Sequence, residues 1–172
     1  MLKKSILTIL SILYMNILYA NPSPLGLEIN KATLDDVKKS YKILMSGQNA
    51  TEGFYNNVIE CHNIPMDTLS NVNVISNNNK IVEGVILDLS SSKFDEIYKM
   101  LSSKYKEFYN RNKFEGSKYA KFYNGDCFIS IEMIHLDNKI ILAYISNNFK
   151  EKHERRISKE KEDKERQTKE LL

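Results

Sequence analysis

The stretch Lys118-Tyr-Ala-Lys-Phe-Tyr-Asn-Gly-Asp-Cys-Phe-Ile-Ser-Ile-Glu-Met-Ile-His135 decides the fold class. Cys127, Ile129, Ile131 and Met133 recur every second residue, with Ser130 and Glu132 between them. That period predicts a strand with one buried face. Asn124-Gly125 just before it is a hairpin signal, since both residues accept the positive φ of a tight turn. Lys118 to Tyr123 is then the partner strand. Asp137-Asn138 marks a further turn, and Lys139 to Ser146 is apolar on both faces, as a central strand would be. Three antiparallel strands follow from this one region.

Upstream, Ser92-Lys-Phe-Asp95 has the form of a capping box, and Phe94, Ile97, Tyr98, Leu101, Tyr105 and Phe108 mark a helical face. The same order occurs earlier in the chain. Thr33-Leu-Asp-Asp36 has a capping-box pattern, and Leu34, Val37, Tyr41 and Leu44 trace one helical face that stops near Gly47. Three strands are expected after it: Phe54 to Cys61, Asn71 to Ser76, and Lys80 to Leu89 with Gly84 as a bulge. Asn77-Asn-Asn79 is the turn between the last two. The body, 21–149, therefore reads as an α+β domain of two helix–β3 units, 33–90 and 92–146. Its helices should pack on one face of antiparallel sheet.

The ends differ from the body. Lys3-Lys4, the apolar run Ile6 to Leu18 and Tyr19-Ala20 have the order of a signal peptide cut after Ala20. The run is short for a membrane span, which needs ~20 apolar residues; an uncleaved anchor is the alternative. The expected mature protein is periplasmic or secreted, with no transmembrane span. The segment 150–172 has Ile157 as its only apolar residue before Leu171-Leu172. It predicts a charged, solvated helix with i,i+4 pairs such as Glu151/Arg155 and Glu160/Lys164; a partner-binding or spacer role is the alternative.

The charge balance does not point to a nucleic-acid partner. The chain has 25 basic and 22 acidic residues, a net +3. The body holds 14 basic and 15 acidic residues, so the excess lies in the leader and tail. The basic balance is no argument for nucleic-acid binding.

Two resemblances are carried by these segments. Leu25-Gly-Leu-Glu-Ile-Asn-Lys-Ala-Thr-Leu-Asp-Asp-Val37 resembles the opening of small exported proteins of the SmpA/OmlA and β-lactamase-inhibitor-protein-like type, with Asn30 where those proteins usually have Gly. It implies protein–protein binding. Lys118-Tyr-Ala-Lys-Phe122, the strand through Glu132, and His135-Leu136 are similar to a group of uncharacterised exported proteobacterial proteins. That similarity implies a compartment and an architecture.

No phosphate-binding loop, nucleophile elbow, His-Glu-x-x-His or Cys-x-x-Cys occurs. No catalytic residue, cofactor or metal is expected. Cys61 and His62 are strand neighbours on opposite faces, and Cys127 and His135 lie ~26 Å apart along a straight strand. Cys61 and Cys127 are either a disulfide stapling the two units or two separate buried thiols. One binding feature stands out. Between Lys104 and Tyr123, basic residues including Lys113 alternate with rings including Phe114. Tyr109, Lys118, Tyr119, Lys121 and Tyr123 are the candidate binding residues, with Phe108 and Phe122 expected in the core. The other reading makes the rings core and the lysines its snorkelling edge. The residue inventory points to a non-enzymatic module that binds another envelope or secreted protein, of inhibitor, immunity or adaptor type. The alternative is a small ligand or envelope polymer held in a helix–sheet cleft.

Mass spectrometry of the protein from its native host should find a chain beginning at or near Asn21. A cytosolic chain starting at Met1 would remove the export reading.

Overall fold

The computed structural model describes residues 20–112, 117–134 and 137–171. The leader, Lys113, Phe114, His135 and Leu136 lie outside the described residues. Among the described residues three α-helices, α1 (Leu34–Ser40), α2 (Phe94–Lys104) and α3 (Asn147–Glu170), accompany eight strands. The first four strands are β1 (Ile43–Gln48), β2 (Phe54–Ile59), β3 (Asn71–Asn77) and β4 (Val82–Ser90). After α2 come β5 (Lys106–Asn112), β6 (Lys118–Asn124), β7 (Cys127–Ile134) and β8 (Lys139–Ser146). All eight form one antiparallel sheet of order β1-β2-β3-β4-β8-β7-β6-β5. The fold is α+β. No helix among the described residues is long and apolar enough to cross a membrane.

Helices α1 and α2 are each followed by four strands rather than the expected three. The first helix ends at Ser40, where Tyr41 turns extended (φ −140°, ψ 146°) and its N–H closes on the Val37 carbonyl. The second ends at Lys104 in the same way, with Tyr105 at φ −125°, ψ 153°. Leu44 and Phe108, expected on helical faces, lie on β1 and β5, the two edge strands. An edge strand pairs on one side only. Every residue of β1 after Ile43 is exposed, so it carries no alternation by which a period of two could be recognised. Its sequence therefore reads as a continuation of the preceding helical period.

Local chemistry explains the remaining joints. At α1 the Thr33 hydroxyl accepts from the Asp36 N–H at 3.2 Å, and the Asp36 carboxylate accepts from the Thr33 N–H at 3.0 Å. This reciprocal cap satisfies two helix-end donors. The Thr33 donors, with Lys39, hold the Asp36 carboxyl well below the usual carboxylate range. The box expected at Ser92–Asp95 does not form: Ser91–Lys93 is a 3-10 turn, and α2 begins without a side-chain cap. The β6–β7 loop is Gly125–Asp126, one residue later than expected, because Asn124 pairs with Cys127 and only Gly125 takes positive φ. Asn30 has φ 66°, the left-handed region that favours glycine.

One face of the sheet carries the main core. Val72, Val74, Val85, Leu87, Ile129, Ile131, Ile140 and Phe122 meet Val37 of α1 and Phe94, Ile97 and Leu101 of α2. Leu27 and Ile29 complete this layer. The third helix lies elsewhere. Its Phe149 packs edge-on against Phe54 (centroids 4.9 Å apart) together with Ile75, Ile86 and Ile145. Register puts Ile75, Ile86 and Ile145 on the face opposite α1 and α2. The helices of the two halves, α1 and α2, thus share one face, and α3 lies on the other.

The tail is also not wholly solvated. It starts at Asn147, and the Ser146 hydroxyl caps it by accepting from the Phe149 N–H at 3.0 Å. The same hydroxyl donates to buried Glu83, whose other oxygen accepts from Asn77 at 2.6 Å and Asn148 at 3.2 Å. His153 stacks on Phe149 and approaches the Thr51 hydroxyl at 3.1 Å. Ile157 is exposed, and the turns beyond it are predominantly exposed and charged.

Chemical denaturation should separate the two parts of α3. Phe149→Ala should cost about 3–5 kcal/mol, as for a buried Phe. Removing 159–172 should change stability by less than about 0.5 kcal/mol, as for exposed substitutions. Equal losses would mean that the distal turns also dock.

Candidate binding face

The α1/α2 side of the sheet is filled, and α3 covers only one end of the other side. Apart from Phe128, which is buried, the rest of that second side is lined by half-buried and exposed residues. Its centre is aliphatic, with Ile86 beside Ala143 and Ile141 beside Asp88. On β2 and β3 it becomes an amide ladder. Asn73 donates to Asn56 at 3.1 Å, and Asn49 donates to the same oxygen at 2.7 Å.

On β5, β6 and β7 the same side is aromatic. Register aligns Tyr109 with Lys121 and Ser130, and Tyr123 with Phe128. Tyr119, Lys121 and Tyr123 are two residues apart on β6, so they point away from α2. The Lys121 ammonium lies 5.1 Å from the Tyr119 ring centroid and 5.6 Å from those of Tyr109 and Phe128. These distances suit cation–π attraction. Phe108 stacks on Tyr123 at 4.7 Å, Tyr109 meets Tyr119 edge-on at 6.0 Å, and Lys150 of α3 sits 5.5 Å over Phe128. Phe108, Tyr109 and Tyr123 are 48%, 40% and 38% exposed. Rings that are packed on one another and still open to solvent form a rigid, adhesive platform.

Of the five candidate binding residues, four converge here. Lys118 does not. It lies on the opposite face with Ala120 and Phe122, where its ammonium pairs with Asp95 at 2.7 Å and sits 5.2 Å over Phe94. Strand parity alone separates it from Tyr119 and Lys121. Phe122 is fully buried, as expected, whereas Phe108 is not core. A bulge between Glu107 and Tyr109 turns Phe108 onto the platform. Phe128 and Lys150 are the members that sequence reasoning missed. Phe128 alternates with the core positions of β7, which is the signal that places it on the second face.

The cysteines are two separate thiols, not a staple between the units. Both are free. Cys61 follows β2 and Cys127 opens β7, so four inter-strand steps separate their strands. At ~4.8 Å per step the strands are ~19 Å apart, and a disulfide needs Cα atoms within ~7 Å. Burial, with the Asp126 and Glu83 carboxylates, pushes the Cys127 thiol up to about 12, so it carries almost no reactive thiolate near neutrality. Among the described residues, no three His, Cys, Asp or Glu side chains gather as metal ligands. No family model matches this sequence, and no curated protein or solved structure matches it significantly.

A thiol-specific chromophoric reagent at pH 8 should label one cysteine, Cys61, in the folded protein. After denaturation without reductant it should label two. No label in the denatured, unreduced protein would restore the bridge.

Proposed function

We propose that this chain is an exported, non-enzymatic protein-binding module, of inhibitor, immunity or envelope-adaptor type, that engages its partner through the open sheet face. The observation that carries the reading is the platform of Phe108, Tyr109, Tyr119, Tyr123 and Phe128 around Lys121. Tyr side chains are enriched among residues that dominate binding energy, because they bury large area at low conformational cost. Lys121 puts a positive charge at the centre of the platform, which suits an acidic group on the partner, while Lys150 at its rim is paired with Glu154 at 2.9 Å. The aliphatic centre formed by Ile86, Ala143 and Ile141 adjoins the rings and would extend the contact across the β4–β8 seam. The resemblance of Leu25–Val37 to exported protein-binding modules is consistent with this role.

The test is affinity capture from an envelope extract with matched variants. Tyr109→Ala with Tyr119→Ala should weaken capture about 30-fold, the scale of a binding hot spot. Lys121→Glu should do so by charge reversal, and Lys99→Glu, exposed on α2, should leave capture intact. A partner captured equally well by all variants would show that this face is not the interface.

A further inference from the structure

A separate feature lies where α3 passes the tip of the β1–β2 hairpin. Lys152, Arg155, Arg156 and Lys159 are spaced i, i+3, i+4 and i+7, so they share one stripe of α3. On α2 that spacing is apolar and faces the core, at Phe94, Ile97 and Leu101. On α3 it is cationic and lines a cleft of about 760 Å³. The opposite wall comes from the hairpin and the β3–β4 turn, with Gln48, Tyr55 and Asn78 as neutral donors. Glu52 is the single carboxylate in the lining.

The intrahelical pairs do not balance this charge. Glu160 holds one Arg156 nitrogen at 2.5 Å, and Glu151 holds Arg155 at 3.4 Å in an exposed pair. The buried Nε of Arg156 has no acceptor among the described residues. The Lys152 ammonium has the Phe54 ring at 5.1 Å as its neighbour. Burial and the Arg156 charge together hold His153 below its ordinary range, so the helix adds no proton there at neutral pH. Four cations face a wall that carries one carboxylate, Glu52, so the lining keeps a positive excess, and an anion in the cleft relieves the repulsion among them.

We propose that this cleft binds a phosphoryl group. Two guanidinium forks and two ammonium groups supply the convergent donors that a tetrahedral, multiply charged oxyanion accepts. Gln48, Tyr55 and Asn78 provide further donors from the far wall. The site is distinct from the aromatic platform, and it stands whether or not that platform binds a protein.

The probe is inorganic pyrophosphate, titrated into the full chain at constant ionic strength. Saturable binding is expected, with NMR shifts concentrated at Gln48, Asn78 and the α3 residues 152–159. Lys152→Gln with Lys159→Gln should weaken it at least about tenfold, the loss of one charged hydrogen bond or more. Lys161→Gln with Lys169→Gln removes equal charge from the same helix outside the cleft and should leave affinity within about twofold. Phosphatidylglycerol vesicles form a second arm: pyrophosphate binding identifies a soluble phosphoryl anion as sufficient, and binding to vesicles alone assigns the phosphoryl group to lipid. Equal weakening by both double variants, shifts outside the cleft, citrate binding as tightly as pyrophosphate, or binding to neither probe would overturn the proposal. The shift map uses the unmutated protein, so it decides the matter even if a variant misfolds.

Discussion

Strands β4 and β8 pair along seven rows, from Gly84–Ile145 to Ser90–Lys139, and this seam joins two halves that each run helix, then four strands. Each half contributes its last strand to the centre and its first to an edge. Neither half would expose so apolar a strand as β4 or β8 alone without an edge open to aggregation. Their pairing closes that edge and makes one core under two helices. Gly84 shows how tight the seam is. A Cβ there would meet Ile145 at 3.0 Å and the Tyr144 carbonyl at 3.2 Å. A side chain there would oblige Ile145 and the Tyr144 carbonyl to give by a few tenths of an ångström across the central pair.

The seam also sets the position of α3. Glu83 precedes Gly84, and its buried carboxylate accepts from Ser146, Asn77 and Asn148. A carboxylate beside a helix N-terminus is favoured by the unpaired N–H groups and their dipole. Ser146 links the two functions, donating to Glu83 and capping α3. Removing one partner would leave buried polar groups unmatched, at a cost of about 1–3 kcal/mol. Phe149 then enters the pocket of Phe54, Ile75 and Ile145, so the helix begins docked and leaves the body only after two or three turns.

This placement divides the second face of the sheet. Beyond one side of α3 lies the aromatic platform around Lys121, which Lys150 joins from the helix. On another side the stripe from Lys152 to Lys159 overhangs the hairpin tip. The two sites differ in chemistry because they use different walls. One is built from strand residues of alternate parity and stacked rings, the other from a helical stripe set against a polar turn. A charged helix that would fray in isolation acquires a defined orientation from contacts in its first two turns, led by Ser146 and Phe149.

Much of this was legible in the chain itself. The alternation of Cys127, Ile129, Ile131 and Met133, the Asp137-Asn138 turn and the Thr33–Asp36 cap are local signals, and local chemistry determines them. The common face of Tyr119, Lys121 and Tyr123 also followed from strand parity, and the same parity places Lys118 elsewhere; Tyr109 joins them only through the pairing of β5 with β6. What the sequence could not settle was non-local. The edge strands Ile43–Gln48 and Lys106–Asn112 exist because a neighbouring strand offers hydrogen bonds, and neither carries a period of its own. The exposure of Phe108 depends on a bulge, and the separation of Cys61 from Cys127 on strand order. The docking of α3 depends on a carboxylate 63 residues away from Ser146. A pattern read along the chain reports which face of an element is apolar, whereas only the packed sheet decides what covers that face.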